Sequence, residues 1–256
     1  MARREQDGRK QAREWIYGIH SVMAVLDARP HAVRELRVLA GRHDPQFQRM
    51  IELARAHSIA VHEYERRQLD EMVAANHQGV IASVQQAAWS EQDLQAIVES
   101  AGNRALLLIL DGVQDPHNLG ACLRTANAAG VHAVIAPRDR SVGLTAAVRK
   151  VASGAAEATP FIQVGNLGRS LRWLKEQGVW IAGLSGDGES ELYSIDLKGP
   201  LALVLGAEGS GLRHLTGELC DYRLRIPMRG TVESLNVSVA TGICLYEVLR
   251  QRGVAA

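Results

Sequence analysis

Five short, almost wholly apolar runs in the second part of the chain constrain its fold more than any other feature. They lie at 105–110, 132–137, 179–184, 201–206 and 222–227, and helix-like segments separate them. Strands that lack polar alternation are buried on both faces, as in a parallel sheet covered by helices. The pattern therefore predicts an α/β domain with a mostly parallel sheet and helices on both faces from about residue 104 onward.

The preceding residues show a smaller pattern. Residues 1–13 are polar and basic, which predicts a flexible tail, either a solvated terminus or a basic arm that touches RNA. Short helical and extended patterns alternate through 14–85, as expected for a compact α/β module. Within it, Asp44 followed by Pro45 predicts a helix start. Residues 86–103 lack strand signals, so we expect a linker there with one helical turn or more.

Composition limits the partners and the compartment. The 29 basic and 28 acidic residues give a net charge of +1, so an RNA site must be a local patch. Candidate patches are Arg34, Arg37 and Arg42, and Arg66 with Arg67, although each could be an ordinary solvated face. Three scattered cysteines argue against disulfides or structural zinc. Without a secretory signal or a run long enough for a membrane span, we expect a cytoplasmic protein.

The segment that follows the first apolar run, 111–120, precedes an expected helix from Ala121 to Ala129. Ligands of open parallel sheets bind beyond the carboxyl ends of the strands, so its polar residues are candidates for a site. Asn118 is expected at the N-cap of the helix. Arg124 lies among small helix residues, where its guanidinium can grip a phosphate, with an ordinary surface arginine as the alternative.

Two further segments follow later strands. Residues 205–212 contain three glycines, which permit positive φ and close approach of a ligand to backbone. Neither a Walker loop nor the dinucleotide-binding glycine pattern is present. Residues 226–237 precede the last helix, expected at Val237 to Arg250. There Ser234 is a natural N-cap, and Asn236, a mediocre helix former, indicates a polar role.

These three segments, in this order, resemble the motifs of the SpoU/TrmH branch of the SPOUT methyltransferases. The matching stretches, which together cover most of residues 104–250, are DPHNLGACLRTANAAG, LVLGAEGSGL and IPMRGTVESLNVSVATGICLYE. Nearer the start, Tyr17 to Ser21 and His77 to Gly79 are similar to the small RNA-binding domain of this family, which is of the ribosomal-protein L30e-like type.

The resemblance implies transfer of a methyl group from S-adenosyl-L-methionine to a ribose 2′-hydroxyl of RNA, without a metal. It also implies a deep trefoil knot in the sheet domain. Knots are nearly absent from folds, and hydropathy alone cannot indicate one. The implied organisation is a tail at 1–13, an RNA-substrate-binding domain at 14–85, a linker at 86–103 and a methyltransferase domain at 104–256.

The resemblance also implies roles for particular residues. The catalytic positions are matched by Asn118, Arg124, Glu208, Ser234 and Asn236. The cofactor-binding positions are matched by Gly206, Ala207, Glu208, Gly209, Ile226, Met228, Ser234 and Leu235. The family proposal makes Arg124 the general base. Since arginine is effectively always protonated in proteins, an electrostatic and positioning role is favoured, with base action left open.

The implied substrate is a guanosine of 23S ribosomal RNA, free or in a pre-ribosomal particle, because the chain is most similar to the subgroup with that activity. A homodimer is implied as well, and the many apolar residues of the last helix agree with it. The alternatives are a transfer RNA substrate, a non-catalytic RNA-binding protein, and an unrelated nucleotide-binding enzyme. The set of five matched catalytic residues weighs against the second alternative.

Overall fold

The computed structural model of the chain describes residues 13–28, 30–85, 89–207, 209 and 211–253. These residues form two compact units, with the division between residues 87 and 88. The expected basic tail lies outside the described residues except for Arg13, which begins the first strand.

The second unit is built on a seven-stranded sheet. Its strands are β5 (Leu106–Asp111), β6 (Ala133–Pro137), β7 (Phe161–Val164), β8 (Trp180–Leu184), β9 (Ser190–Glu191), β10 (Leu201–Gly206) and β11 (Tyr222–Arg225). Their order across the sheet is β7-β6-β5-β10-β8-β11-β9. Every strand pairing in the described part of this sheet is parallel. The prediction of a mostly parallel sheet from the apolar runs is therefore confirmed.

Helices cover both faces of this sheet. They are α4 (Glu91–Ala101), α5 (Pro116–Ala128), α6 (Ala146–Ala152), α7 (Ala155–Ala158), α8 (Leu167–Glu176), α9 (His214–Leu219) and α10 (Val237–Gln251). Alternate residues of β5 enter different cores: Leu108 packs with α5, α6, α7 and α10, whereas Ile109 packs with α4 and α8. Burial on both faces is why the strands lack polar residues.

The first unit has a four-stranded sheet. Its elements are β1 (Arg13–Tyr17), α1 (Ile19–Ala28), β2 (Val33–Leu39), α2 (Pro45–Ala56), β3 (Ala60–Tyr64), α3 (Arg66–Met72) and β4 (Val80–Gln85). The strand order is β1-β4-β2-β3, with only the β2–β3 pair parallel among the described strands. As predicted, Asp44 caps α2 by accepting from the backbone N–H of Phe47, and Pro45 is the first helical residue.

The expected linker at 86–103 needs correction. Most of it is α4, which begins at a capping box between Ser90 and Asp93. The side chains of Leu94 and Val98 are buried in the second unit, and the Glu91 carboxylate accepts hydrogen bonds from the Gly165 backbone and from Arg169. The segment behaves as part of the sheet domain because its apolar face has a core to enter.

Two helix starts also differ from the predictions. α5 begins at Pro116 with Asp115 as its N-cap, so Asn118 lies in the first turn of the helix and is not its cap. α10 is capped by Asn236, whose Oδ1 accepts from the Ser238 backbone N–H, so Ser234 is not the cap. In both cases the true cap is an Asx residue whose side chain reaches the third or second residue beyond it.

Candidate active site

A cavity of about 790 Å³ lies at the carboxyl ends of three neighbouring parallel strands of the second unit. Its walls come from the turn after β8, the turn after β10 and the segment between β11 and α10. The carboxyl edge of a parallel sheet is where such folds bind ligands, because the loops leave the strands there with free backbone groups. Its volume is in the range of small-molecule sites.

The turn after β10 depends on its glycines. A Cβ atom on Gly206 would lie 2.0 Å from the carbonyl oxygen of Gly211, so the chain can fold back on itself only because Gly206 has no side chain. A 2.9 Å hydrogen bond from the Gly211 N–H to the Ala207 carbonyl closes the turn. Gly209 and Gly211 have φ values of 79° and 64°, which glycine adopts without strain.

The turn after β8 forms the opposite wall, and the sequence motifs did not indicate it. Ser185 and Gly186 line the cavity. The Asp187 carboxylate accepts hydrogen bonds from the Ser185 hydroxyl and from Arg223 on β11, and these two contacts lower the pKa of Asp187. A Cβ on Gly188 would lie 2.4 Å from the Leu224 backbone, so the turn is pressed against β11.

The third wall brings together two of the candidate catalytic residues. The Asn236 side chain lines the cavity and donates a 2.9 Å hydrogen bond from its Nδ2 to the Oδ1 of Asn118. These residues lie 118 positions apart in sequence. The contact joins the first turns of α5 and α10, which also approach at Cys122 and Thr241, 3.4 Å apart. An amide pair is therefore held at the rim of the cavity.

Arg124 lies farther along α5, exposed to solvent and outside the cavity lining. Among the described residues it has neither an ion pair nor a hydrogen bond. Its neighbours on the helix, Leu123 and Ala126, are buried in the core, so the helix axis is fixed while the guanidinium stays accessible. An accessible guanidinium can bind a phosphate group.

Most of the residues expected at the cofactor lie in one place. The cavity is lined by seven of the eight, namely Gly206, Ala207, Gly209, Ile226, Met228, Ser234 and Leu235. Glu208 is outside the described residues. The lining residues that sequence reasoning missed are Leu184, Ser185, Gly186, Leu205, Gly211, Glu233, Val237 and Ala240. Leu205, Gly211, Glu233, Val237 and Ala240 lie inside the motif stretches and Leu184 ends a predicted strand, so only Ser185 and Gly186 lie outside both.

Two of the three cysteines are buried and the third, Cys220, is half-buried. Burial raises the pKa of Cys220 to about 11 and that of Cys244 to about 12, and Cys122 is fully buried. In the described part of the chain, no group of three or more His, Cys, Asp or Glu side chains is placed to hold a metal ion. Nor is any helix there long and apolar enough to cross a membrane. The polar groups described at the cavity are amides, hydroxyls, a carboxylate and backbone.

Residues 105–246 match the model of the SpoU rRNA Methylase family, and residues 15–90 match that of the RNA 2′-O ribose methyltransferase substrate binding domain. The chain belongs to the SpoU rRNA methylase family. Its cavity, built from the turns around β8 and β10 and the segment before α10, therefore lies inside the region that defines this SpoU family.

Several SpoU relatives match over almost the whole chain. The 23S rRNA (guanosine-2′-O-)-methyltransferase RlmB of Pseudomonas aeruginosa is 53% identical, with 93% of this chain and 97% of the relative covered. RlmB of Yersinia pestis is also 53% identical, covering 95% and 99%. The solved AdoMet-bound rRNA methyltransferase from Sinorhizobium meliloti is 25% identical with a TM-score of 0.77, covering 95% and 88%.

Proposed function

We propose that this SpoU protein transfers a methyl group from S-adenosyl-L-methionine to the 2′-hydroxyl of a guanosine in 23S ribosomal RNA. The observation that carries the proposal is the cavity. Seven of the expected cofactor residues line it, and the Asn118–Asn236 pair lies at its rim. Relatives of that activity, 53% identical over nearly their full length, support the choice of substrate.

The cavity suits this cofactor in size and in chemistry. About 790 Å³ accommodates a nucleoside joined to an amino acid, and the walls combine apolar side chains such as Ile226 and Leu235 with the backbone of Gly206, Gly209 and Gly211. An adenine can stack between apolar walls while backbone groups bind its edge. We propose Gly206, Ala207, Glu208, Gly209, Ile226, Met228, Ser234 and Leu235 as the binding residues.

When bound, S-adenosyl-L-methionine supplies an electrophilic methyl group on a sulfonium. The chain's own residues then have to hold the ribose hydroxyl in line and assist loss of its proton. We assign orientation of the ribose to Asn118, Asn236 and Ser234, whose amides and hydroxyl can donate and accept. We assign the adjacent phosphate to Arg124 as a positioning and electrostatic group. Glu208 is assigned to pair with Arg124 or to accept the proton through water.

We further propose that the protein is a homodimer that uses the outer face of α10. Val239 and Tyr246, seven residues apart on that helix, are 50% and 54% exposed, and Ile243 between them is half-buried. Such a stripe of apolar side chains on one helix favours burial against a second copy. Family membership supports two further assignments, a trefoil knot in the second unit and an L30e-like fold for the first. It also supports a cytoplasmic site of action.

The experiment is methyl transfer by the purified chain to defined RNA. Labelled S-adenosyl-L-methionine is supplied with unmodified 23S RNA or with unmodified transfer RNA, and digested nucleosides are separated. We expect 2′-O-methylguanosine from 23S RNA alone. Label in transfer RNA would show that transfer RNA is the substrate. Binding of 23S RNA without methyl transfer would show that the protein is a non-catalytic RNA-binding module.

A further inference from the structure

A buried carboxylate outside the cavity holds the turn that forms one of its walls. Asp111 is the last residue of β5, and its side chain is 0% exposed. It accepts a 2.6 Å hydrogen bond from the Nε of Arg213 and a 3.3 Å hydrogen bond from the Arg213 backbone N–H. The Arg213 Nη2 contacts the same carboxylate. Asp111 does not line the cavity, so it acts on the site through the residues it holds.

Asp111 fixes both ends of the turn after β10. Its backbone is the register partner of Gly206, where the turn begins, and its side chain binds Arg213, where the turn ends. Between these ends, the Leu212 side chain packs closely on Gly183: a Cβ on Gly183 would lie 2.7 Å from the Leu212 Cδ1. The described ends of the turn, Gly206 and Leu212, are therefore both held by contacts, and Gly206 and the neighbouring Gly211 line the cavity.

The chemistry of the pair indicates a positioning role. A buried carboxylate without a cation is strongly unfavourable, so Asp111 draws the guanidinium and the chain that carries it to the strand end. The Arg213 side chain is 44% exposed, so packing alone does not require an arginine at this position. Charge-assisted hydrogen bonds of this kind are short and directional, and they fix geometry better than apolar contact does.

We propose that Asp111 and Arg213 are positioning residues that hold the 206–212 turn in the conformation that binds the methyl donor. The inference rests on the proposed function. A ligand's apparent affinity falls in proportion to the fraction of protein in the competent state. Loss of the pair therefore raises the Kd for the cofactor, and it leaves kcat at saturating cofactor and the Kd for RNA nearly unchanged.

The test uses the full chain with the variants Asp111→Asn, Arg213→Gln and the double variant. Asp221→Asn is the matched control, because Asp221 also accepts from a cation, Lys175, and from a backbone N–H, that of Ile181, but at the opposite edge of the sheet. Calorimetry measures binding of S-adenosylmethionine and of S-adenosylhomocysteine, and thermal melting reports stability for each variant.

We expect a Kd about tenfold higher for both ligands in Asp111→Asn and Arg213→Gln, because each loses at least one charge-assisted hydrogen bond. The double variant should recover part of the affinity that Arg213→Gln loses, since position 111 then carries no unpaired buried charge. Asp221→Asn should melt at a lower temperature with unchanged Kd. If Asp111→Asn and Arg213→Gln both bind like the wild type, or if Asp221→Asn weakens binding equally, the inference is wrong.

Trypsin provides a readout that needs no ligand. Cleavage after Arg213 requires the turn to leave Asp111, so Asp111→Asn should be cut there faster than the wild type, with unchanged cleavage after Arg172. Equal rates at Arg213 would overturn the inference. A wild type that binds neither ligand would instead contradict the proposed function, and the cleavage rates would still decide whether the pair holds the turn.

Discussion

One arginine from each unit shows two different uses of the guanidinium group. In the first unit, Arg37 lies over the rings of Trp15 and Tyr64, at 4.5 and 5.6 Å from their centroids, and donates to Glu35. In the second unit, Arg124 is exposed and has no ion pair or hydrogen bond to any described residue. One guanidinium holds a sheet face together, and the other is exposed to solvent.

This difference changes the predicted RNA patches. The patch of Arg34, Arg37 and Arg42 is not a set of free cations, because Arg37 is paired and Arg42 donates to Asp44 and to the Gln78 carbonyl. Exposure and partners, and not clustering in sequence, decide which arginines can bind a phosphate. Arg66 and Arg67 stay candidates, since Arg67 has only an exposed pair with Glu71, a kind of contact that contributes little.

The largest effect is expected at Arg124. Arg124→Ala should lower methyl transfer about a hundredfold or more, because one electrostatic contact to the reacting groups is lost, and cofactor affinity should stay the same. Arg172→Ala, an exposed arginine on α8, is the control and should keep full rate. Near-full activity in Arg124→Lys would contradict a specific guanidinium role, since lysine offers only a point charge.

Separating the two units should have the next largest effect. A chain of residues 88–256 keeps α4 and should bind cofactor and dimerise, but its RNA affinity should fall about tenfold or more as phosphate contacts are lost. A chain of residues 102–256 lacks Leu94 and Val98 and should aggregate. RNA methylation by residues 88–256 at the full-length rate, in matched salt, would remove the recognition role of the first unit.

The role of α4 can be tested without truncation. Leu94→Ala removes a buried side chain from the core that α4 shares with β5 and α8, and it should lower the free energy of unfolding of the second unit by about 2–4 kcal/mol. Gln95→Ala, on the exposed face of α4, is the control. Chemical denaturation followed by tryptophan fluorescence measures both. Equal stability of the two variants would show that α4 does not stabilise the core and that residues 86–103 act as a linker.

A smaller effect separates structural from ligand-binding arginines in the first unit. Arg37→Met should lower the free energy of unfolding by about 1 kcal/mol, because its cation–π contacts are lost. Arg66→Met should leave stability unchanged and reduce the salt dependence of RNA binding by about one phosphate contact. If Arg66→Met lowered stability and Arg37→Met reduced the salt dependence of RNA binding, the distinction between structural and ligand-binding arginines would be wrong.

The smallest expected effect is a loss of folding stability at acidic pH. Hydrogen bonds from the Gly165 backbone and from Arg169 lower the pKa of Glu91 below its ordinary value of 4.5. Its carboxylate therefore contributes stability that is present above pH 4.5 and is lost as the pH falls through the lowered pKa. Glu91→Gln should be less stable than the wild type at neutral pH, and the difference should shrink in acid. A constant difference would show that α4 docks without this charge.

The sequence predicted the sheet of the second unit well. Its strands are buried on both faces, so nearly all of their residues are apolar and the strands stand out from the rest of the sequence. It expected a linker with one helical turn or more and missed that α4 packs into the second unit, although Leu94, Ile97 and Val98 have helical spacing and Ser90 with Asp93 forms a capping box. The cap of α5 was missed as well. Asp115 followed by Pro116 is the same signal that correctly placed the start of α2 at Asp44 and Pro45.

Other features of the site had no local signal. The hydrogen bond between Asn118 and Asn236 joins residues far apart in the chain, and it exists only because α5 and α10 pack side by side. The cavity wall at Ser185 and Gly186 depends on Arg223 and Asp187, whose pairing follows from the β8–β11 register. Gly206 was expected to approach a ligand, whereas the closest neighbour of its missing side chain is Gly211.

That last contact removes one simple test. Gly206→Val would break the turn itself, so lost binding in such a variant would not identify the atoms that touch the cofactor. Arg124 is exposed and has no ion pair with a described residue, so it is a cleaner target, since its replacement leaves the described contacts of α5 in place.

The most direct measurement is therefore a map of ribose methyls in 23S RNA from cells that lack the gene, complemented with either the wild type or Arg124→Ala. The account predicts that one 2′-O-methylguanosine disappears on deletion, returns with the wild type and stays absent with Arg124→Ala. An unchanged methyl map on deletion, or full restoration by Arg124→Ala, would contradict it.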